Sequence, residues 1–168
     1  MPSRLAAAAL LSFLLTGCTH ILTVHSRPSG AAVRLSEVNG DKVLELGETP
    51  VKTEVVASGE YKITLTKPGY SAFTRTVEMG SKDSFSFELV PYFNISVDSE
   101  PRGATIVLID KGAGLEYNIG KTPAQYVVEG NGPFAVRASM IGRKTETLDL
   151  ETAAGNPTVS KVLRLSHE

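Results

Sequence analysis

The sequence contains a single cysteine, no tryptophan and no excess of either charge. One thiol, Cys18, excludes an intrachain disulfide and any zinc site that needs several thiolates. Seventeen Lys and Arg against 18 Asp and Glu leave a net charge of −1, and no run concentrates one sign. The basic footprint of a nucleic-acid binder is therefore missing. Aromatic residues make up only 7% of the 168 positions, a thin supply of stacking platforms for sugars. Long apolar runs are lacking too. The most apolar stretch, Leu5 to Leu15, would cover roughly 17 Å as a helix, well short of the ~30 Å hydrocarbon core. Beyond it no segment sustains a helical 3.6 period. Glu146 to Ala154 comes nearest, before Gly155-Asn156-Pro157 ends it.

Catalytic motifs are equally scarce. Gly120-Lys121-Thr122 resembles the end of a phosphate-binding loop, but Leu115 stands where the first glycine is needed and Pro123 blocks the helix that should follow. His20, His25 and His167 show neither HxxxH nor HxH spacing, so no metal site is expected. No G-x-S-x-G occurs, and no histidine stands ready to pair with a serine. The closest carboxylate pairs, Glu45 with Glu48 and Asp149 with Glu151, read as solvated strand surface. Asn94-Ile95-Ser96 meets the N-glycosylation rule but reads as strand sequence. No enzyme and no cofactor are expected.

What is present begins with an address. Met1 to Arg4 is a short positive segment, and Leu5 to Leu15 is an apolar signal core. Leu15-Thr16-Gly17-Cys18 follows and resembles the lipobox of bacterial lipoproteins. That resemblance implies cleavage between Gly17 and Cys18, acylation of Cys18, and a bilayer as the first partner. Two or three chains, at about 0.8 kcal/mol per buried CH₂, anchor a protein firmly. In such lipoproteins an aspartate after the cysteine favours the inner membrane; Thr19 stands there, which points to the outer membrane. Residues 1–17 are thus expected to be a leader and 18–20 an acylated tether.

The remainder is written twice. At an offset of 73 residues, Ser26-Arg27-Pro28-Ser29-Gly30-Ala31 falls on Ser99-Glu100-Pro101-Arg102-Gly103-Ala104, and Gly47-Glu48-Thr49-Pro50 falls on Gly120-Lys121-Thr122-Pro123. Residues 24–77 show 13 identities in 54 pairs, where chance gives roughly three or four. Each copy alternates with period two: Val33 and Leu35, then Tyr61, Ile63 and Leu65, then Phe85, Phe87 and Leu89. Such alternation argues half-buried strands. Asn39-Gly40 fits a type I′ hairpin, and Pro68-Gly69 a type II turn. The chain is therefore expected to be all-β, with two small antiparallel sandwiches at 21–90 and 91–168 joined tightly through Val90-Pro91-Tyr92.

The order S-x-P-x-G-A, G-x-T-P, G-x-[YF], K-P-G-Y resembles the PEGA domain, a bacterial β-sandwich module. Copy one keeps Gly59-Glu60-Tyr61 and Lys67-Pro68-Gly69-Tyr70. Copy two replaces the last motif with Met140-Ile141-Gly142-Arg143 and carries a longer loop near Ala153 to Pro157. The resemblance implies an extracytoplasmic module with no conserved catalytic residues and a role in surface binding or scaffolding. The expected function is a lipid-anchored envelope protein that binds or scaffolds, with an envelope protein complex favoured over a wall or surface glycan. Tyr70 at a hairpin tip, with Tyr92 and Phe93 at the junction, are the candidate partner contacts. Two rivals stay open: an enzyme whose site lies in the cleft near Tyr92, and a self-associating spacer.

Overall fold

A computed structural model describes residues 19–56, 59–80 and 84–168. Period-two segments become strands throughout, and no helix occurs among the described residues. The first unit contains β1 (Thr19–Arg27), β2 (Ala32–Glu37), β3 (Val43–Glu48), β4 (Val51–Val56), β5 (Gly59–Thr66), β6 (Phe73–Met79) and β7 (Ser84–Glu88). The second contains β8 (Tyr92–Glu100), β9 (Thr105–Asp110), β10 (Leu115–Lys121), β11 (Ala124–Glu129), β12 (Phe134–Ser139), β13 (Glu146–Leu150) and β14 (Thr158–Arg164).

Each unit is a sandwich of a three-stranded and a four-stranded sheet. The orders are β4-β1-β7 over β3-β2-β5-β6, and β11-β8-β14 over β10-β9-β12-β13. Alternate residues fill the space between the sheets: Leu22, Val24, Val33, Leu35, Ile63 and Leu65 in the first core, and Ile95, Val97, Ile106, Leu108, Phe134 and Val136 in the second. Each unit keeps its own core.

Some local expectations are corrected and others are given detail. The sandwiches are not wholly antiparallel, because β7 runs parallel to β1 and β14 parallel to β8. A parallel pair needs a crossover, which here runs through the whole four-stranded sheet and one strand, β4 or β11, of the three-stranded one. Strand β1 begins at Thr19, within the span expected for a tether; Gly17 and Cys18 lie outside the described residues. Neither Asn39 nor Gly40 takes a positive φ, so the type I′ hairpin is absent. The β2–β3 loop instead spans residues 38–42, closed by Glu37 N–H donating to the Lys42 carbonyl at 2.9 Å. Finally, the stretch that came nearest to a helix supplies β13.

The repeated motifs meet inside each sandwich. Ala31 N–H donates to Thr49 Oγ1 at 3.1 Å, Thr49 Oγ1 lies 2.5 Å from Ser26 Oγ, and Ser26 Oγ–H donates to the Pro28 carbonyl at 2.6 Å. Ser26 has one hydroxyl proton and gives it to that carbonyl, so Thr49 must donate to Ser26. At offset 73 the same chain recurs. Thr122 accepts from Ala104 N–H at 3.2 Å, stands 2.6 Å from Ser99 Oγ, and Ser99 reaches the Pro101 carbonyl at 2.6 Å. Ala31 and Ala104 are fully buried beneath these turns, where a larger side chain has no room. These motif residues hold the turn at the end of β1 and β8 to the strand-end opposite.

Pro68 and Gly69 form the expected turn, with Tyr70 N–H to the Lys67 carbonyl at 3.1 Å and Gly69 at φ 80°. Copy two keeps it without proline: Arg143 N–H reaches the Met140 carbonyl at 3.1 Å and Gly142 has φ 72°. Glycine is the requirement at the positive-φ position, and proline only favours it.

Candidate functional site

The junction residues are placed first by these turns. Tyr70 pairs with Pro91 in an isolated bridge and packs, half-buried, against the first core. It stands at the joint between the units and is not a free hairpin tip. Tyr92 opens β8, donating its N–H to the Gly69 carbonyl at 3.1 Å, and its alternation puts it on the outer face of the sheet. Phe93 points the other way. It is 2% exposed and packs edge-on against Phe134 with ring centroids 6.0 Å apart. Its place is the second core, where no partner reaches it.

The joint itself is built from backbone and one side-chain contact. Ser71 Oγ–H donates to Glu129 Oε1 at 2.7 Å, and Gly130 N–H to the Pro91 carbonyl at 2.9 Å. Gly69 lies against Gly155 of the longer loop in copy two, so closely that a Cβ there would stand 2.9 Å from the Gly155 Cα. The extra residues of that loop therefore seat the turn of the preceding unit. At the joint Ser71 holds the Glu129 carboxylate, and Tyr70 and Tyr92 add two phenols.

Among the described residues, an open groove of about 570 Å³ lies on the outer face of β11-β8-β14. Strand register sets its floor as two rows, Val127–Asn94–Thr158 and Gln125–Ser96–Ser160. All six residues line it, and none carries a charge. Among the described residues, no partner side chain holds any of these amides or hydroxyls. Further along the same strands two carboxylates are paired: Arg102 Nη2 is 2.9 Å from Asp98 Oδ2, and Arg164 Nε is 3.2 Å from Glu100 Oε2. Tyr126, between Gln125 and Val127, is opposite the buried Ile95 and turns its ring toward the second core, where it stacks with Tyr117 of the other sheet, ring centroids 6.4 Å apart at 27°.

The equivalent face of the first unit is lined differently. Its corresponding rows read Glu54–Ile21 and Lys52–Thr23–Ser84. One fold thus carries two different outer faces. Sequence reasoning passed over the groove because polar outward residues look alike on every strand. The usable signal was the exchange of Lys52 and Glu54 for Gln125 and Val127.

Chemically the groove floor can hold a ligand by hydrogen bonds, and its six residues include no carboxylate, histidine or lysine. The shifted groups lie elsewhere. The Arg137 guanidinium, in a two-pronged contact with Glu116, holds that carboxyl below the usual glutamate range, and the pairing raises Arg137 in turn. Burial, then the nearby Glu37, raises the Tyr61 phenol. Among the described residues, no group of three or more His, Cys, Asp or Glu is placed to hold a metal ion.

Comparison with known proteins gives three findings. No curated protein matches the chain. Among solved structures, the Bacillus anthracis TIE protein aligns over 89% of this chain at 13% identity and a TM-score of 0.37, the chain spanning about a third of that protein's length (34%). A proposed adhesin of Bacteroides ovatus aligns over all of this chain and 99% of its own, at 9% identity and a TM-score of 0.32. Within the chain, residues 19–91, the first sandwich up to the residue before β8, match the PEGA domain.

Proposed function

We propose that the protein is a non-enzymatic binding module of the bacterial envelope, two tandem PEGA domains carried on a lipid attached to Cys18. The observation that carries this reading is the uncharged groove of the second unit, whose free amides and hydroxyls can bind but cannot transfer protons. The Ser99–Thr122 hydroxyl chain, repeating the Ser26–Thr49 chain, supports the second domain as a copy of the first. The lipobox supports the anchor, and Thr19 after the cysteine supports the outer membrane.

In this reading the first domain is the stalk and the second the reader. Strand β1 has nine residues, about 30 Å at strand rise, and it starts one residue after the acylated cysteine. The binding domain is then held about that far from the bilayer, clear of the headgroups.

Two measurements test the proposal. Cells fed labelled palmitate should incorporate it into the wild-type chain and not into Cys18→Ser, which should leave the membrane fraction. Label retained by Cys18→Ser would remove the anchor from the reading. In-cell crosslinking from position 127 should recover an envelope component, and crosslinks confined to the first unit would move the binding surface there.

A further inference from the structure

The joint between the units has a counterpart at the far end of the second one. In the first unit the turn at Lys67–Tyr70 is fastened to the outgoing chain by the Tyr70–Pro91 bridge, and by Ser71 N–H donating to the Val90 carbonyl at 2.8 Å. Copy two repeats both links: Arg143 bridges His167, and Lys144 N–H donates to the Ser166 carbonyl at 3.1 Å. The two ends share one backbone geometry, and their surroundings differ. The second unit covers the first end, where Gly69 and Pro91 are buried. At the second end Gly142 and His167 are exposed, and a Cβ at Gly142 would meet open space.

Two exchanges mark this uncovered end. Ile141 replaces Pro68 and stands completely exposed at the tip of the turn. A lone surface isoleucine is ordinary, but this one sits where the first unit meets its neighbour. Lys144 replaces Ser71, whose hydroxyl holds Glu129 of the covering unit at 2.7 Å. An ammonium in that place turns the same contact into a charge-assisted pair with a carboxylate so positioned. The first joint also has the short Val90-Pro91-Tyr92 junction to keep its halves together. A partner on another chain lacks that proximity, and burial of an isoleucine beside an ion pair can stand in for it.

The occupant follows from the one this molecule already shows. What covers the first turn is the entry end of a β-sandwich: Glu129 and Gly130 after β11, and the loop at Gly155. In a second copy of this chain, that end of the second unit is filled by its own first unit. The corresponding end of the first unit starts at Thr19, beside Cys18, and on the anchored reading it faces the bilayer. A second copy is therefore a poor occupant. We propose that the turn from Ile141 to Lys144 is a docking site for a β-sandwich domain of another envelope protein, which presents a carboxylate to Lys144 and a glycine-bearing loop to Gly142. This surface is separate from the groove, and the choice against a second copy rests on the proposed anchor.

A photocrosslinking residue at position 141 of the full chain, in living cells, tests the surface. It should capture one protein, with the linked peptide in a loop between strands of a β-sandwich domain. Lys144→Glu should lower the captured fraction about tenfold or more, and Lys144→Ser, which restores the residue of the first joint, should lower it less. Lys144 is exposed, and a thermal melt checks that both variants fold. Linkage to lipid, glycan, a second copy or a protein without a sandwich, no capture at all, or capture untouched by Lys144→Glu overturns the proposal. A second measurement needs no unknown partner. Residues 93–168 appended after Glu168 offer the turn a sandwich that carries Glu129. Residual dipolar couplings should show the added unit held at the angle of the first joint and released by Lys144→Glu; free tumbling overturns the fit. Capture at position 141 with none at 127 keeps this surface and removes the groove, whereas a wild-type chain without palmitate removes the anchor alone.

Discussion

At the residue scale, the most informative atoms are two hydroxyls. Thr49 Oγ1 accepts from Ala31 N–H and donates to Ser26, and among the described residues Ala31 N–H has no other acceptor. Thr49→Val keeps the shape and removes both functions, leaving a buried amide unpaired. It should cost about 1–3 kcal/mol, read as a lower urea midpoint at unchanged slope. Thr122→Val should cost at least as much, because Thr122 Oγ1 also accepts from Gly103 N–H at 2.9 Å. Ser26→Ala should cost less than either threonine change, since Thr49 could still accept from Ala31. If Ser26→Ala proves the more damaging, the direction assigned to the hydroxyl chain is wrong. These contacts show where sequence reading stops. Pro28, Gly30 and Ala31 are legible as a turn from local rules alone. The partnership of Ser26 with Thr49 is not, because it joins residues 23 apart in sequence and depends on how two strand ends face each other.

At the element scale, alternation revealed the strands but not their neighbours. Tyr61, Ile63 and Leu65 face inward as the pattern requires, yet the same alternation serves parallel and antiparallel pairs equally, so the direction of β7 and β14 was hidden in it. Turn chemistry succeeded where a positive φ was indispensable, at Gly69, and failed at Asn39-Gly40, where a five-residue loop removes the need. The groove was hidden for a related reason: its rows come from three strands and exist only once the register is known. The Gly69 turn offers a direct test of the joint. Gly69 and Gly142 occupy the same turn with φ of 80° and 72°, but an added Cβ meets Gly155 only at Gly69 and open space at Gly142. Alanine at either site should lose about 1 kcal/mol to the left-handed backbone. Only Gly69→Ala should also change the angle between the units, visible in small-angle scattering or residual dipolar couplings. Identical couplings in both variants and the wild type would show that the turn does not set the joint.

At the scale of the whole molecule, the parallel closing strands determine how the copies connect. Because β7 runs alongside β1 in the same direction, the chain enters the first unit at one end and leaves at the other. The second unit therefore continues onward instead of folding back beside the first. The two cores share no residue, and the contacts between units are a few hydrogen bonds and a glycine approach. Little apolar area couples them, so each unit should unfold on its own terms, as weakly coupled tandem repeats do. The wild-type chain is expected to show two thermal transitions by calorimetry. Thr49→Val should lower one and leave the other in place, and Thr122→Val should do the reverse, by about 4–8 °C per kcal/mol for units of this size. Gly69→Ala should bring the transitions no closer together. A single transition displaced by either threonine change would mean that the joint transmits far more stability than its contacts account for, and that stalk and reader form one folding unit.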